Sequence, residues 1–172
     1  MKKLRLLMTS VCLKSCEGCC NKDYNLSKLP KVSHLNYDEI LLTGGEPMLY
    51  PDAVISVAKL IRAVNPNTKI YLYTSKFDVI EWKFMEALNV LHGITCTLHT
   101  QEDAVHFANI LHYIQQLGYA KHKSLQLHIF KGVDIDSVVQ FNRTWLRDWK
   151  VKENIEWIEN CPLPEGEEFR TL

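Results

Sequence analysis

The sequence predicts an α/β fold, an open partial (β/α)6 barrel of parallel strands, and three observations predict it. Short apolar runs alternate with helical patterns at least five times, with connections too long for hairpins, which means βαβ units and right-handed crossovers. The run Ile40-Leu41-Leu42 is continuously apolar, as in a buried parallel strand. In strands three to five the alternate residues divide cleanly. Tyr71, Tyr73, Ser75, Thr95, Thr97, His99, Gln126, His128 and Phe130 share one face, opposite Ile70, Leu72, Ile94, Cys96, Leu98, Leu125, Leu127 and Ile129. Helices need the apolar face. A closed barrel fills its interior with branched apolar chains, so the polar set points to an open sheet around a cavity.

Taken in order, residues 4–9 form the first strand. Residues 20–29 carry little periodicity and end at Pro30, so the helix after strand one is short or degraded. Residues 40–42 are strand two. Pro51 opens a helix with Asp52 in its first turn; Val54, Val57, Ala58 and Ile61 keep helical spacing, and Asn65-Pro66-Asn67 stops it. Strand three covers 70–73 and a helix covers 77–88. Strand four covers 94–98. Thr100 caps the next helix with Asp103 three residues on, and Gly118 ends it. Strand five covers 125–130. Asp136 is expected to cap a helix carrying Val138, Phe141, Trp145 and Trp149, followed by a short sixth strand at 155–158 and an irregular tail from Pro162.

The 172 residues suit one domain, 1–172, and 47% hydrophobic content is enough for a sizeable core. Twenty basic residues balance twenty acidic ones, so no global pull toward nucleic acid or a membrane surface follows. No apolar run approaches the roughly 18 residues of a membrane span. Arg5 interrupts the first apolar run and no small-residue cleavage site follows, so no secretory signal is read and a cytoplasmic setting is expected. There the six cysteines are expected to be reduced, with metal rather than disulfides as their use.

Three of those cysteines organise the chain: Cys12-Leu13-Lys14-Ser15-Cys16-Glu17-Gly18-Cys19 follows strand one directly. Three thiolates can hold three irons of a [4Fe–4S] cube and leave the fourth iron open to an outside ligand. A catalytic metal site keeps such an open position, whereas a structural site closes it. The plainer alternative is structural zinc, with Cys20, Cys96 or Cys161 as fourth ligand. The second stretch is Thr43-Gly44-Gly45-Glu46-Pro47, at the end of strand two. Standing alone it is a strand-to-loop turn with Glu46 in solvent.

Together the two stretches resemble the radical S-adenosylmethionine (SAM) superfamily, in which a Cys-x₃-Cys-x₂-Cys loop follows strand one and a Gly-Gly-Glu-Pro turn follows strand two. The resemblance covers residues 4–51 and implies a shortened form of that family's core. It implies Cys12, Cys16 and Cys19 as ligands of a [4Fe–4S] cluster, with SAM chelated at the open iron and reductively cleaved to a 5′-deoxyadenosyl radical. It places Gly44, Gly45, Glu46 and Pro47 beside the SAM ammonium. It nominates Thr74, Ser75, Lys76 and His99, at the ends of strands three and four, for the ribose and carboxylate. The residue before the last cysteine, often aromatic in that family, is Gly18 here. A one-electron donor of flavodoxin or ferredoxin type is implied as partner.

For the substrate, Cys16-Glu17-Gly18-Cys19-Cys20-Asn21-Lys22-Asp23-Tyr24 resembles the small glycyl-radical activases, above all the activating proteins of anaerobic ribonucleotide reductase. A glycyl-radical enzyme is then the partner. The alternative is a small nucleotide- or base-like substrate, as in the 7-carboxy-7-deazaguanine synthases; a non-catalytic Fe–S or zinc module is a third. His99 and His128 are candidates for handling protons or binding substrate, or are structural. Cys20, Cys96 and Cys161 are expected to be free thiols, with Cys96 in the core.

Overall fold

The computed structural model describes residues 1–116, 118–138 and 143–172. Among these, seven strands and three α-helices follow in the order β1 (Lys3–Thr9), β2 (Glu39–Gly44), α1 (Pro51–Val64), β3 (Lys69–Thr74), α2 (Glu81–Val90), β4 (Gly93–Leu98), α3 (Gln101–Gln116), β5 (Ser124–Phe130), β6 (Trp149–Ile155) and β7 (Glu167–Thr171). The strands form one all-parallel sheet in the order β6-β5-β4-β3-β2-β1-β7. It is not closed: β6 and β7 are its two edges.

From β1 to β6 the strand order follows the chain, so successive crossovers of one hand leave their helices on one face. On that face α1 packs on α2 and α2 on α3. Leu4, Leu6, Ile40, Leu42, Ile70, Leu72, Ile94, Cys96, Leu98, Leu125, Leu127 and Ile129 join Val54, Ala58, Ile61, Phe84, Leu88, Phe107 and Leu111 in a single core. The pairing keeps the alternation in step: Leu72 lies beside Ile94 and Ile94 beside Leu125, while Tyr73 lies beside Thr95 and Thr95 beside Gln126. The polar and aromatic set therefore shares the other face, as its spacing predicts.

Local chemistry sets the element ends. Pro51 opens α1 and Asp52 sits in its first turn. Thr100 and Asp103 form the reciprocal cap of α3: the Asp103 amide donates to Thr100 Oγ1 at 3.2 Å and the Thr100 amide donates to Asp103 Oδ2 at 3.1 Å. Between β1 and β2 only short 3-10 turns form, at Cys20–Asp23 and Leu26–Lys28, in keeping with the weak periodicity there.

Five expectations are corrected. The tail from Pro162 is not all irregular: Glu167–Thr171 pairs with β1 as β7, because Arg5 finds Glu167 at 2.8 Å and Phe169 is buried beneath Tyr24. Trp149 is not on a helix but opens β6, where its ring packs edge-on against Phe107 at 5.2 Å. The sixth strand accordingly ends at Ile155 instead of beginning there. Helix α2 starts at Glu81, not at 77, since Phe77 leaves the helical path to bury its ring against Phe107. Of the helix expected after Asp136, Phe141 lies outside the described residues. The turn at Asp136 and Ser137 is capped by Asp134, whose Oδ1 accepts both their amides, and Trp145 falls in the 3-10 turn Arg143–Leu146.

Candidate functional site

The carboxyl ends of the strands open on a cavity of about 490 Å³, lined by the cysteine loop, the Gly-Gly-Glu-Pro turn, the ends of β3 to β5 and the segment after β6. In open parallel α/β sheets this is the end where ligands bind. Cys12, Cys16 and Cys19 are free thiols lining it.

The loop is held from three sides. From β2, the Gly45 amide donates to the Thr9 carbonyl at 2.6 Å and the Glu46 amide to the Val11 carbonyl at 2.8 Å. This close approach explains the two glycines. A Cβ on Gly45 would stand 2.1 Å from the Val11 oxygen, and one on Gly44, at φ 138°, 2.3 Å from the Thr9 oxygen. The glycines thus admit the main chain that enters the cysteine loop. From the far side of the loop, Asn21 donates through Nδ2 to the Gly44 carbonyl at 2.6 Å. In the middle, Lys14 donates through Nζ to the Ser75 carbonyl at 2.7 Å and ion-pairs with the buried Asp103.

Glu46 is buried, not solvated as a lone turn would have it. Its Oε1 accepts from the Met48 amide (3.0 Å) and Thr74 Oγ1 (2.6 Å); its Oε2 accepts from the Ser75 amide (2.8 Å) and Ser75 Oγ (3.2 Å). The carboxylate therefore clamps the end of β3 to the end of β2. Gly44, Gly45, Glu46, Pro47, Thr74, Ser75, His99 and His128 all line the cavity. Lys76 does not: its ammonium pairs with Asp78 at 2.7 Å.

His99 stands over the loop, its Nδ1 3.9 Å from Cys16 Sγ. Burial, and then the Lys14 ammonium, push its pKa down to about 4 against the opposing pull of Asp103. Burial, reinforced by the neighbouring thiols Cys19 and Cys12, raises the Cys16 thiol above its ordinary range. His128 lies deeper, its Nε2 buried with no hydrogen-bond partner among the described residues, and burial followed by Lys152 lowers its pKa. Both imidazoles are neutral near pH 7.

The polar face divides between two cavities. Tyr73, Thr97 and His128 line the one described, whereas Tyr71, Thr95 and Gln126 line a second, of about 280 Å³, together with the Lys3–Glu39 ion pair at the amino ends of the strands. Tyr73 borders both.

One expectation about the cysteines is overturned. Cys20 and Cys161 are joined in a disulfide, with their Cα atoms 5.2 Å apart. Cys96 is free and buried in the core, as expected, and burial raises its thiol well above the ordinary range. The alternation of the strands did not reveal Lys14, Asp103 or Trp157 as parts of the site. Lys14 was in view inside the cysteine loop, and a charge between two such cysteines is a signal in itself. Trp157 stacks on His99 at 5.0 Å and packs on Phe130 at 4.1 Å, making an aromatic wall.

No protein-family model and no curated protein matches this chain. Among the described residues, no helix is long and apolar enough to cross a membrane.

Proposed function

We propose that the chain is a radical SAM enzyme with an open partial-barrel core. The observation that carries the reading is the cysteine loop itself. Three free thiols sit on one loop, stitched to the Gly-Gly turn, at the carboxyl rim of a parallel sheet, facing a cavity of about 490 Å³. In an Fe–S cube each thiolate meets its own iron, so the three cysteines need only surround a common volume. Cys20 and Cys161 are bound to each other and Cys96 is buried in the core, which speaks against a fourth protein thiolate and so against a four-cysteine zinc site.

Cys12, Cys16 and Cys19 would hold the [4Fe–4S] cluster, which when reduced supplies the electron that cleaves bound SAM. The protein's own part is positioning and exclusion of water. Lys14 and Asn21 fix the loop, Glu46 fixes the end of β3 beneath it, and Thr74, Ser75 and His99 border the space beside it. Tyr73, Thr97 and His128 form the polar floor that orients what reacts.

The local likeness at 16–24 suggests a glycyl-radical enzyme as substrate. The aromatic wall of His99, Phe130 and Trp157 favours the alternative, a small planar nucleobase-like substrate, because such a wall offers stacking rather than room for a protein loop. Anaerobic reconstitution tests the class. The protein is expected to take up about four irons per chain, to lose them when Cys12, Cys16 or Cys19 becomes Ala, and to release 5′-deoxyadenosine from SAM with a low-potential reductant. Stoichiometric zinc without iron would overturn it.

A further inference from the structure

Between β6 and β7 the chain crosses the rim of the cavity before returning to the sheet. Glu156, Trp157, Ile158 and Cys161 of this crossing line the cavity beside the cysteine loop. The crossing has no helix or strand of its own from Glu156 to Gly166. What seats it is a small set of contacts at its two ends. At one end the Trp157 ring lies on His99, 19° from parallel, and on Phe130. It presses on the cysteine loop so closely that a Cβ on Gly18 would fall 2.8 Å from the Trp157 Cβ. At the other end the Cys161 amide donates to Asp23 Oδ2 at 2.8 Å, Tyr24 donates through its hydroxyl to the Cys161 carbonyl at 2.7 Å, and Cys161 is disulfide-bonded to Cys20. Among the described residues a further tie, Glu156 to Lys131, joins two exposed side chains and contributes little.

The disulfide is thus the one covalent fastening of a segment with few backbone hydrogen bonds, and it fastens that segment to the residue directly after Cys19. Cys20 is exposed, so a dissolved thiol can reach its sulfur. We propose that Cys20–Cys161 is a redox latch: oxidised, it holds residues 156–161 as a strap over the cysteine loop; reduced, it releases the strap and opens the cavity. The reductant is a dithiol. One of its thiolates attacks Cys20 Sγ, the S–S bond breaks, and Cys161 leaves as a thiolate that takes up a proton. The second thiol of the reductant then resolves the mixed disulfide, so two electrons and two protons pass to the protein and the reductant becomes a disulfide. The latch needs no iron and stands whether or not the radical SAM reading does.

The test uses the full chain without iron. Aerobically purified protein, digested without reduction, is expected to yield a peptide pair joined through Cys20 and Cys161. Treatment with dithiothreitol should speed hydrogen exchange at the Cys161 amide, which donates to Asp23, by about tenfold or more, while the amides of α1 stay unchanged. The double variant Cys20→Ser/Cys161→Ser should exchange as fast without reductant. It should also label at Cys16 with a maleimide severalfold faster than the oxidised parent, since the strap no longer shields the loop. Trp157→Ala, which keeps the disulfide but removes the packing, should give a smaller acceleration. Absence of the linked peptide pair would overturn the latch, as would unchanged exchange and Cys16 labelling in the double variant. Equal acceleration in α1 would also count against it, because the change would then be global.

Discussion

The ammonium of Lys14 and the carboxylate of Asp103, 89 residues apart, are ion-paired between the cysteine loop and the first turn of α3. Asp103 is buried and also accepts the His99 amide at 2.9 Å, so one carboxylate gathers the loop, the end of β4 and the helix cap. A pair of this kind costs more to break on one side than it contributes whole, because the remaining charge is stranded.

Lys14→Met should therefore do more harm than its partly exposed position suggests. We expect a loss of about 1–2 kcal/mol, or roughly 2–8 °C in Tm for a domain of this size. Iron retention after reconstitution should fall as well, since Cys12 and Cys16 flank the freed residue. Lys14→Arg, which keeps the charge, should restore part of both. Unchanged melting and unchanged iron in Lys14→Met would show that the pair does not hold the loop.

Gly45 gives a second prediction, and the geometry changes what its sequence context suggests. Beside a ligand, a bulky residue would weaken cofactor binding and spare the iron. Here a Cβ would meet the Val11 carbonyl at 2.1 Å and its carbon at 2.5 Å, on the main chain that enters the cysteine loop. Gly45→Val should therefore reduce iron content and SAM affinity together, by moving the loop. Iron held at the parental level with SAM binding alone impaired would place the ligand, and not Val11, against this glycine.

These two sites mark how far the sequence could be read. Strands β2 to β5 and helices α1 and α3 were legible because their apolar residues repeat at fixed spacing, and the cysteine loop and Gly-Gly turn because each is contiguous. Strand β7 was not: Glu167–Thr171 has one apolar residue, Phe169, and pairs only because Arg5 and Tyr24, over 140 residues away, receive it. Trp145 and Trp149 share helical spacing, yet Trp149 lies in β6, so tertiary pairing overrode a local pattern. The Lys14–Asp103 pair and the Cys20–Cys161 bond join residues 89 and 141 apart, a relation no local period encodes.

Away from the cavity, His92 should make stability depend on pH. Its Nδ1 accepts the Ile70 amide at 2.9 Å, at the start of β3, and this requires the neutral ring. Burial, and then Arg62, Lys123 and Lys69, lower its pKa below the ordinary 6.5. Between the folded pKa and about 6.5 the unfolded chain binds more protons than the folded one, so stability increases with pH there and is lost as pH falls. The Tm of the parent should drop between pH 7 and 5 more steeply than that of His92→Asn, which cannot be protonated. Parallel curves would show that His92 titrates alike in both states.

The last prediction concerns the polar floor. Leaving a buried polar atom unpaired costs about 1–3 kcal/mol, and His128 Nε2 is such an atom among the described residues. That cost is carried by the folded state, so the nitrogen adds nothing to stability, while the residue lines the cavity. His128→Leu should accordingly leave the melting temperature near the parent's, since an apolar group replaces an unsatisfied one. The same holds for Tyr73→Phe, whose ring is partly exposed at 38% and loses only a hydroxyl. Both should lower the product formed per 5′-deoxyadenosine released, because a substrate held less firmly intercepts fewer cleavage events. The decisive comparison is that ratio set beside the melting temperature. Collapse of the fold in both variants would make the face structural, and an unchanged ratio in both would place the substrate elsewhere in the cavity.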